Sequence, residues 1–319
     1  MDTLDKDTVS NRYAEAYAQL VKEFCEDVRT IAEKYKPISR TDDKGKPVPG
    51  HNRAPAPFLP IIGSGYYDAP IRVAIYGMET ACWHDLYRFV DKYDKGGLTA
   101  VKAYTDGIEG DDETYKKRFH NHHGTKYENS SSFGFWKFVY STLAGIYGVD
   151  EKEDIRERPD LLRSFIWGNV NSYEKFGASW SKNKKLSQRK SDWEKISKAS
   201  KRFDSAQLLL PYTQPHIMVV FYWGMTRKWL TGKEGKWQAD EVISIDWSKF
   251  FAQHPKLKEE QQNKLRKYIL CYYLRYYLSE TGTYVFKTMH PRGMPSRGIK
   301  SAIWKAAINY AIQSIAINK

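Results

Sequence analysis

Apolar positions follow the spacing of helices in several long segments of the chain. Between residues 8 and 36 they recur every three or four positions, which predicts an amphipathic helix that ends at Lys36-Pro37. The same spacing predicts helices over residues 80–94 and 135–147, and a closing helix, capped by a serine, over residues 296–318. Helices are therefore expected along the whole chain.

Short runs of β-branched and aromatic residues lie between those helices and predict strands. They cover residues 71–76, 161–170, 216–222 and 284–289, with a further candidate at 240–247. Residues 268–278 contain tyrosine pairs that fit neither period, so both helix and strand stay open there. Strands that alternate with helices favour a mostly parallel sheet covered on both faces. We expect an α/β fold, a three-layer α/β/α sandwich with about four central strands.

The distribution of proline and charge predicts the organisation of the chain. Residues 1–69 hold the first helix and a proline-rich extension, whose alternating prolines and apolar residues are expected to lie extended on the core. Residues 70–319 are expected to form the α/β domain. Two polar segments, near 95–132 and 180–202, are expected to be insertions in it.

Charge and aromatic content indicate the kind of partner. The chain of 319 residues has 51 Lys and Arg against 38 Asp and Glu, a formal net charge of +13. Neutralisation of phosphates dominates nucleic-acid affinity, so this charge indicates attraction to polyanions such as nucleic acids; a soluble protein that happens to be basic is the alternative. A basic run over residues 181–190 is consistent with a grip on a nucleic-acid backbone, although such a run is usually a solvated face. Aromatic residues, 15% of the chain, suit stacking on bases as well as core packing.

Several classes of protein do not fit the composition. The three cysteines are far apart, which excludes a zinc ribbon and a four-cysteine iron–sulfur cluster. The histidines at 120, 122 and 123 lack a nearby acidic or cysteine partner, so no metal and no other cofactor is expected. No run reaches the roughly 18 apolar residues of a membrane span, and no secretory signal pattern is present. We expect a cytoplasmic monomer without a membrane partner.

Candidate chemistry lies at the strand ends. In a parallel sheet, ligands bind beyond the carboxyl ends of the strands, where this sequence has Glu79, Asn169, Gly224 and His290. An amide can donate to and accept from a base edge, and an imidazole can stabilise a developing negative charge. Each residue also has a structural interpretation. Glu79 can complement the dipole of the following helix, and Asn169 can end its strand in a turn.

Three motifs, in this order, resemble the uracil-DNA glycosylase superfamily. One strand ends in Gly77-Met78-Glu79, a later strand ends in Gly168-Asn169-Val170, and a last strand leads into His290-Pro291. Between the first two, Ser132-Phe133-Gly134-Phe135-Trp136 resembles a helix start in the mismatch-specific branch of the superfamily. Each motif is short, so the resemblance depends on their joint order over residues 70–300.

The resemblance implies roles for the candidate residues in the pocket. Glu79 would orient water and shield the cationic sugar, and His290 would stabilise the departing base. Asn169 would read the base edge, and Phe133 is the ring favoured for stacking on the base. Gly77, Met78 and Ala81 would complete the substrate-binding residues.

The residues after His290 resemble the minor-groove loop of the same superfamily. This glycine- and proline-rich stretch contains Arg292, Met294 and Arg297. The resemblance implies that the two arginines bind phosphates and that Met294 is the wedge inserted into the duplex.

One departure from the family pattern bears on the substrate. The family motif Gly-Gln-Asp-Pro-Tyr ends in a tyrosine that excludes substituents at C5 of the base. Here the same stretch reads Gly-Met-Glu-Thr-Ala and ends in Ala81. The smaller residue, together with the insertion near 95–132, suggests a pyrimidine with a bulky 5-substituent. Glucosylated hydroxymethylcytosine of phage DNA is the first candidate, which would make the protein an antiviral defence enzyme.

The expected activity is that of a monofunctional DNA glycosylase, a hydrolase that leaves an abasic site, because no lysine stands in a recognisable Schiff-base position. A uracil-excising repair glycosylase and a non-catalytic nucleic-acid-binding protein of the same fold are the alternatives. A hydrolase or transferase for a small substrate is a further alternative. It lacks support because the sequence has no Gly-x-Ser-x-Gly elbow, Walker loop or Rossmann fingerprint.

Overall fold

Helices and strands alternate along the part of the chain that the structure, a computed structural model, describes. That part comprises residues 6–36, 40–41, 47–48, 54–79, 85–106, 135–149, 158–171, 190–203, 210–222, 224, 237–239, 242–276, 282–294 and 297–317.

The elements follow in chain order. The first are α1 (Lys6–Lys34), β1 (Arg40–Thr41), β2 (Pro47–Val48), β3 (Ile61–Ile62), β4 (Val73–Glu79) and α2 (Leu86–Asp106). They are followed by α3 (Phe135–Tyr147), α4 (Pro159–Leu162), β5 (Phe165–Asn171), α5 (Lys190–Ser200), β6 (Ile217–Phe221) and β7 (Trp237–Ala239). The last are α6 (Ser248–Gln253), α7 (Glu259–Tyr268), β8 (Leu270–Tyr276), β9 (Gly282–Thr288), a 3-10 turn (Pro291–Gly293) and α8 (Ser301–Ile312), which continues as a π-helical turn (Gln313–Ile317).

A seven-stranded sheet forms the middle layer, in the order β3-β5-β4-β6-β9-β8-β7. The four strands β5, β4, β6 and β9 pair in parallel, whereas β3, β8 and β7 pair antiparallel at the flanks. The carboxyl ends of the four parallel strands therefore share one edge of the sheet. Strands β1 and β2 form a separate antiparallel pair.

Alternation along the strands divides the core into two layers. On β4, Ala74 and Tyr76 pack with helices α1, α2 and α5, whereas Val73 and Ile75 pack with α3, α6, α7 and α8. Strand β6 is buried at every position, as expected for a central parallel strand. Burial of each such side chain contributes about 1.5–3 kcal/mol. The predicted α/β sandwich is confirmed.

The amino-terminal extension lies on this core. Residues 54–61 are buried, and β3 pairs antiparallel with β5. Helix α1 packs on α2 and α5, and it is tied to them by the ion pairs Arg29–Asp94 and Lys34–Asp192. For residues 54–62, the prediction that the proline-rich segment lies extended on the core is confirmed.

Several predicted element boundaries need correction. Strand β4 continues beyond Tyr76 to Glu79, and most of the candidate strand at 240–247 is irregular, with a single bridge from Ile243. The ambiguous tyrosine-rich segment is mainly strand β8. Helix α8 begins at Ser301 after Lys300, whose side chain makes no capping hydrogen bond. The predicted serine cap is therefore wrong.

The segment after β4 also differs in detail. Asp85 caps α2, because the backbone N–H of Arg88 donates to Asp85 Oδ1 at 3.0 Å. The helix extends past the predicted end at residue 94 and reaches Asp106, with non-helical backbone at Gly96 and Gly97. Gly97 has φ of +61°, a conformation that favours glycine, so this pair breaks the helix into two parts.

The side chain of His216 links the residues that precede β4 and β6. His216 Nδ1 accepts a hydrogen bond from the backbone N–H of Arg72 at 3.0 Å, and the Arg72 guanidinium donates to the carbonyl of Gln214. Burial, with the Arg72 charge as a smaller cause, lowers the pKa of His216 below its ordinary value. Protonation would also replace the Nδ1 acceptor with a donor. The folded protein therefore favours the neutral imidazole.

We predict that this histidine makes stability depend on pH. Its pKa is lower in the folded state than the ordinary 6.5, so its contribution is complete above pH 6.5 and is lost as the pH falls through the folded pKa. In His216→Asn, an amide oxygen can accept the same hydrogen bond without titrating. Urea unfolding from pH 8 to 5 should show a steeper loss of stability in the wild type than in His216→Asn. Parallel profiles for the two proteins would contradict this.

Candidate active site at the carboxyl edge of the sheet

Two glycines allow β4 and β5 to carry large side chains where their carboxyl ends meet. Gly77 is the register partner of Asn169, and Tyr76 is the partner of Gly168. A Cβ atom on Gly168 would lie 2.4 Å from the Tyr76 ring, and one on Gly77 would lie 2.6 Å from Asn169 Oδ1. Gly77 on β4 thus leaves room for the side chain of Asn169, and Gly168 on β5 leaves room for that of Tyr76, on opposite faces of the sheet.

Asn169 is held at the edge of the sheet on the α3 side. Its side chain is buried, and it crosses β4 above Gly77. A buried amide is costly unless it is hydrogen-bonded, so its orientation is fixed by its surroundings. The predicted base-edge reader therefore lies at the expected strand end, with Gly77 beneath it.

Phe135 connects this pair to His290. Its ring lies 3.4 Å from the position of a Cβ on Gly77, and it is parallel to the His290 imidazole, with centroids 6.1 Å apart and an interplanar angle of 8°. Phe221, at the end of β6, contacts the same ring edge-to-face at 5.6 Å. Residues of β4, of β6 and of the segment after β9 therefore meet around this one ring at the start of α3.

The contacts of Phe135 with Gly77 and His290 could not be predicted from the sequence, where Phe135 belongs to a predicted helix and to the Ser-Phe-Gly-Phe-Trp motif. Phe133, the ring favoured for stacking, lies outside the described residues. The available signal was the position of Phe135 at the start of α3, directly after the glycine of the Ser-Phe-Gly-Phe-Trp motif.

Thr288 adds a buried hydroxyl to the same edge. It ends β9, it is 1% exposed, and its register partner is Phe221. Its Oγ1 has no hydrogen-bond partner in the described part of the chain. Because an unpaired buried hydroxyl costs about 1–3 kcal/mol, this atom is a candidate ligand-binding group.

Helices α3 and α8 are locked together behind the site. The Asn309 side chain donates to the carbonyl of Ser141 at 3.0 Å, and it occupies the space that a side chain on Gly145 would need. Gln313 donates to the Gly145 carbonyl. Since α3 begins with Phe135 and α8 follows the segment after His290, this packing fixes the two rings relative to each other.

Lys287 is a second ionisable group near the carboxyl edge. It is 9% exposed and pairs in register with Val220 of β6 and Leu270 of β8. Burial lowers the pKa of its amino group. Its face of the sheet is that of Val285, two residues earlier, which packs in the α1 layer. It therefore lies on the opposite face from Phe135 and Asn169.

The described residues after His290 form two hydrogen-bonded turns. The backbone N–H of Gly293 donates to the carbonyl of His290 at 2.8 Å, and that of Arg297 donates to Met294. Met294 is 0% exposed and belongs to the core layer of α3 and α8. The structure thus corrects the expectation of an exposed wedge, because this side chain completes the core beneath the turn.

Other predicted site residues are described only in part. Met78 and Glu79 are the last residues of β4, and Arg292 lies in the 3-10 turn. Gly224 lies in an exposed turn after β6. Ala81 and the histidines at 120, 122 and 123 lie outside the described residues.

In the part of the chain that the structure describes, no helix is both long and apolar enough to cross a membrane. Nor do the described side chains include a group of three or more histidines, cysteines or acidic residues that could hold a metal ion.

Comparison with known proteins gives no match: no family model, no curated protein and no solved structure is significantly similar to the chain.

We predict that Gly77→Ala disturbs the site and the fold. The added methyl would lie 2.6 Å from Asn169 Oδ1, which must shift, so a loss of about 1–3 kcal/mol is expected in urea unfolding. Gly65→Ala is the matched control, because its methyl would meet its nearest neighbour at an ordinary 3.5 Å. Equal stability of the two variants would contradict the proposed close packing.

We predict that Thr288→Val stabilises the protein. Valine keeps the branched shape but removes the unpaired hydroxyl, so a gain of up to about 1–3 kcal/mol is expected in urea unfolding. Thr288→Ser, which keeps the hydroxyl and removes the methyl group, should be less stable than the wild type. A destabilised Thr288→Val would mean that the hydroxyl already has a partner in the folded protein.

Proposed function

We propose that the protein is a monofunctional DNA glycosylase that removes a modified pyrimidine. The observation that carries the proposal is that Asn169 and Phe135 meet over Gly77 and that the Phe135 ring lies parallel to His290, at the edge where parallel sheets bind ligands. A buried amide beside an aromatic ring and an imidazole suits a flipped base, which is held by its edge and by its face. The net charge of +13 suits a DNA partner.

The proposed reaction is hydrolysis of the N-glycosidic bond. The bond between C1′ of the sugar and the base breaks, and its electron pair leaves with the base. His290 would hold the negative charge that develops on the base, and Asn169 would fix the base edge. Glu79, at the end of β4, would orient the water whose oxygen bonds to C1′. The proton released from that water balances the one taken up by the base.

The proposed substrate class is a pyrimidine with a bulky group at C5. Ala81 replaces the residue that excludes such groups in the resembling family, and glucosylated hydroxymethylcytosine of phage DNA is the specific candidate. The Thr288 hydroxyl, which has no hydrogen-bond partner within the described structure, would supply a polar group at the same edge. Uracil is the alternative substrate.

The activity is tested with duplexes that carry uracil, hydroxymethylcytosine or its glucosylated form. After incubation, alkali cleaves the strand at each abasic site. We expect cleavage of the glucosylated duplex by the wild type, and a rate about 10²–10³-fold lower for His290→Asn because a group that stabilises the departing base is lost. His254→Asn, the same change at the end of α6, is the matched control and should retain full activity.

The other possible results of this cleavage experiment distinguish the alternatives. Excision of uracil alone would replace the proposed substrate, and binding without any abasic site would favour the non-catalytic alternative. Strand cleavage without alkali would contradict the monofunctional mechanism.

A further inference from the structure

The end of α7 lies at the same edge of the sheet as the candidate site. Strand β8 runs antiparallel to β9, so it begins where β9 ends, with Leu270 paired to Lys287. The last turn of α7, with Arg266 and Lys267, directly precedes this pair, and His290 follows it. Lys267 and His290 are each three residues from the pair, at most about 11 Å along the chain.

The turn that leads into α8 is fixed to this helix. Gln261 Nε2 donates to the carbonyl of Gly298 at 2.7 Å, and Lys264 Nζ donates to the carbonyl of Arg297 at 3.2 Å. The guanidinium of Arg297 lies over the ring of Tyr268, 5.1 Å from its centroid. The helix end and the turn therefore form one rigid surface.

Four cations line this surface: Arg266, Lys267, Arg297 and Lys300, together called the basic ledge. Arg266, Lys267 and Lys300 are exposed, and Arg297 is partly buried. Among the described residues, none of the four forms an ion pair with a carboxylate. Arg266 and Lys267 are held instead over aromatic rings, at 4.6 and 5.5 Å from the centroids. Their charges thus stay available to an anion.

Charge is also separated along α7. Its acidic residues, Glu259 and Glu260, lie in the first turn, and Glu260 pairs with Lys264 at 2.6 Å. The last turn, at the edge that holds His290, is basic. An anion that approaches the candidate site therefore meets the basic last turn of this helix.

We propose that the basic ledge binds the sugar-phosphate backbone of duplex DNA beside the base pocket, an inference that rests on the proposed function. Ammonium and guanidinium groups without protein carboxylates are the groups that neutralise phosphates and release counterions. Because the four cations are attached to one surface, they would fix the position of the DNA backbone relative to His290. Of these four residues, only Arg297 belongs to the segment that resembles the minor-groove loop.

The test measures the affinity for an unmodified 20-base-pair duplex by fluorescence anisotropy between about 50 and 200 mM NaCl. Each phosphate contact contributes about 0.9 to the slope of log affinity against log salt. The double variant Lys267→Gln/Lys300→Gln should therefore bind more weakly than the wild type, with a slope smaller by about 2. Lys22→Gln/Lys36→Gln, with Lys22 on α1 and Lys36 just after its end, removes the same charge, and Lys36 likewise lies over a tyrosine ring, so it is the matched control.

The outcomes separate this inference from the proposed function. If the control has the same slope as the wild type and the ledge variant has a smaller one, DNA binding by the basic ledge is supported, even if no base is ever excised from any duplex. Equal slopes for the ledge variant and the control would overturn it, even if the wild type excises a modified base. Failure of the wild type to bind the duplex at 50 mM NaCl would overturn it as well.

Discussion

The contact between β4 and β5 at their carboxyl ends is the constraint on which the candidate site depends. Two glycines lie in adjacent register pairs, and each is covered by a side chain of the other strand, Tyr76 on Gly168 and Asn169 on Gly77. Any side chain at either glycine would force the covering group away. The strand register, the buried amide and the position of the Phe135 ring are therefore one linked arrangement.

The helical layer on the α3 side transmits this arrangement to His290. Phe135 contacts Gly77 at the start of α3, and Asn309 of α8 locks the middle of α3 through Ser141. Between β9 and α8, consecutive turns and the buried Met294 hold the segment that carries His290. The imidazole is thus positioned by packing from two helices and the sheet, which is what a preorganised site requires.

The architecture and the strand-end positions of Asn169 and His290 could be predicted from the sequence, because β-branched runs mark buried strands and parallel strands share an edge. Contacts between residues distant in sequence could not be predicted in this way. Phe135 reads as one apolar residue among several on its helix, and the pairing state of the Thr288 hydroxyl depends on neighbours distant in sequence. Met294 shows the opposite error: a methionine among glycines and prolines suggests an exposed loop, yet the turn folds it into the core.

Release of a base from DNA at this edge of the sheet can be measured by mass spectrometry of the small molecules freed from glucosylated phage DNA. We expect the wild type to release the intact modified base, with the glucose still attached, and Asn169→Asp/His290→Asn to release none above background. Absence of a free base with the wild type, or equal release by the double variant, would contradict this expectation.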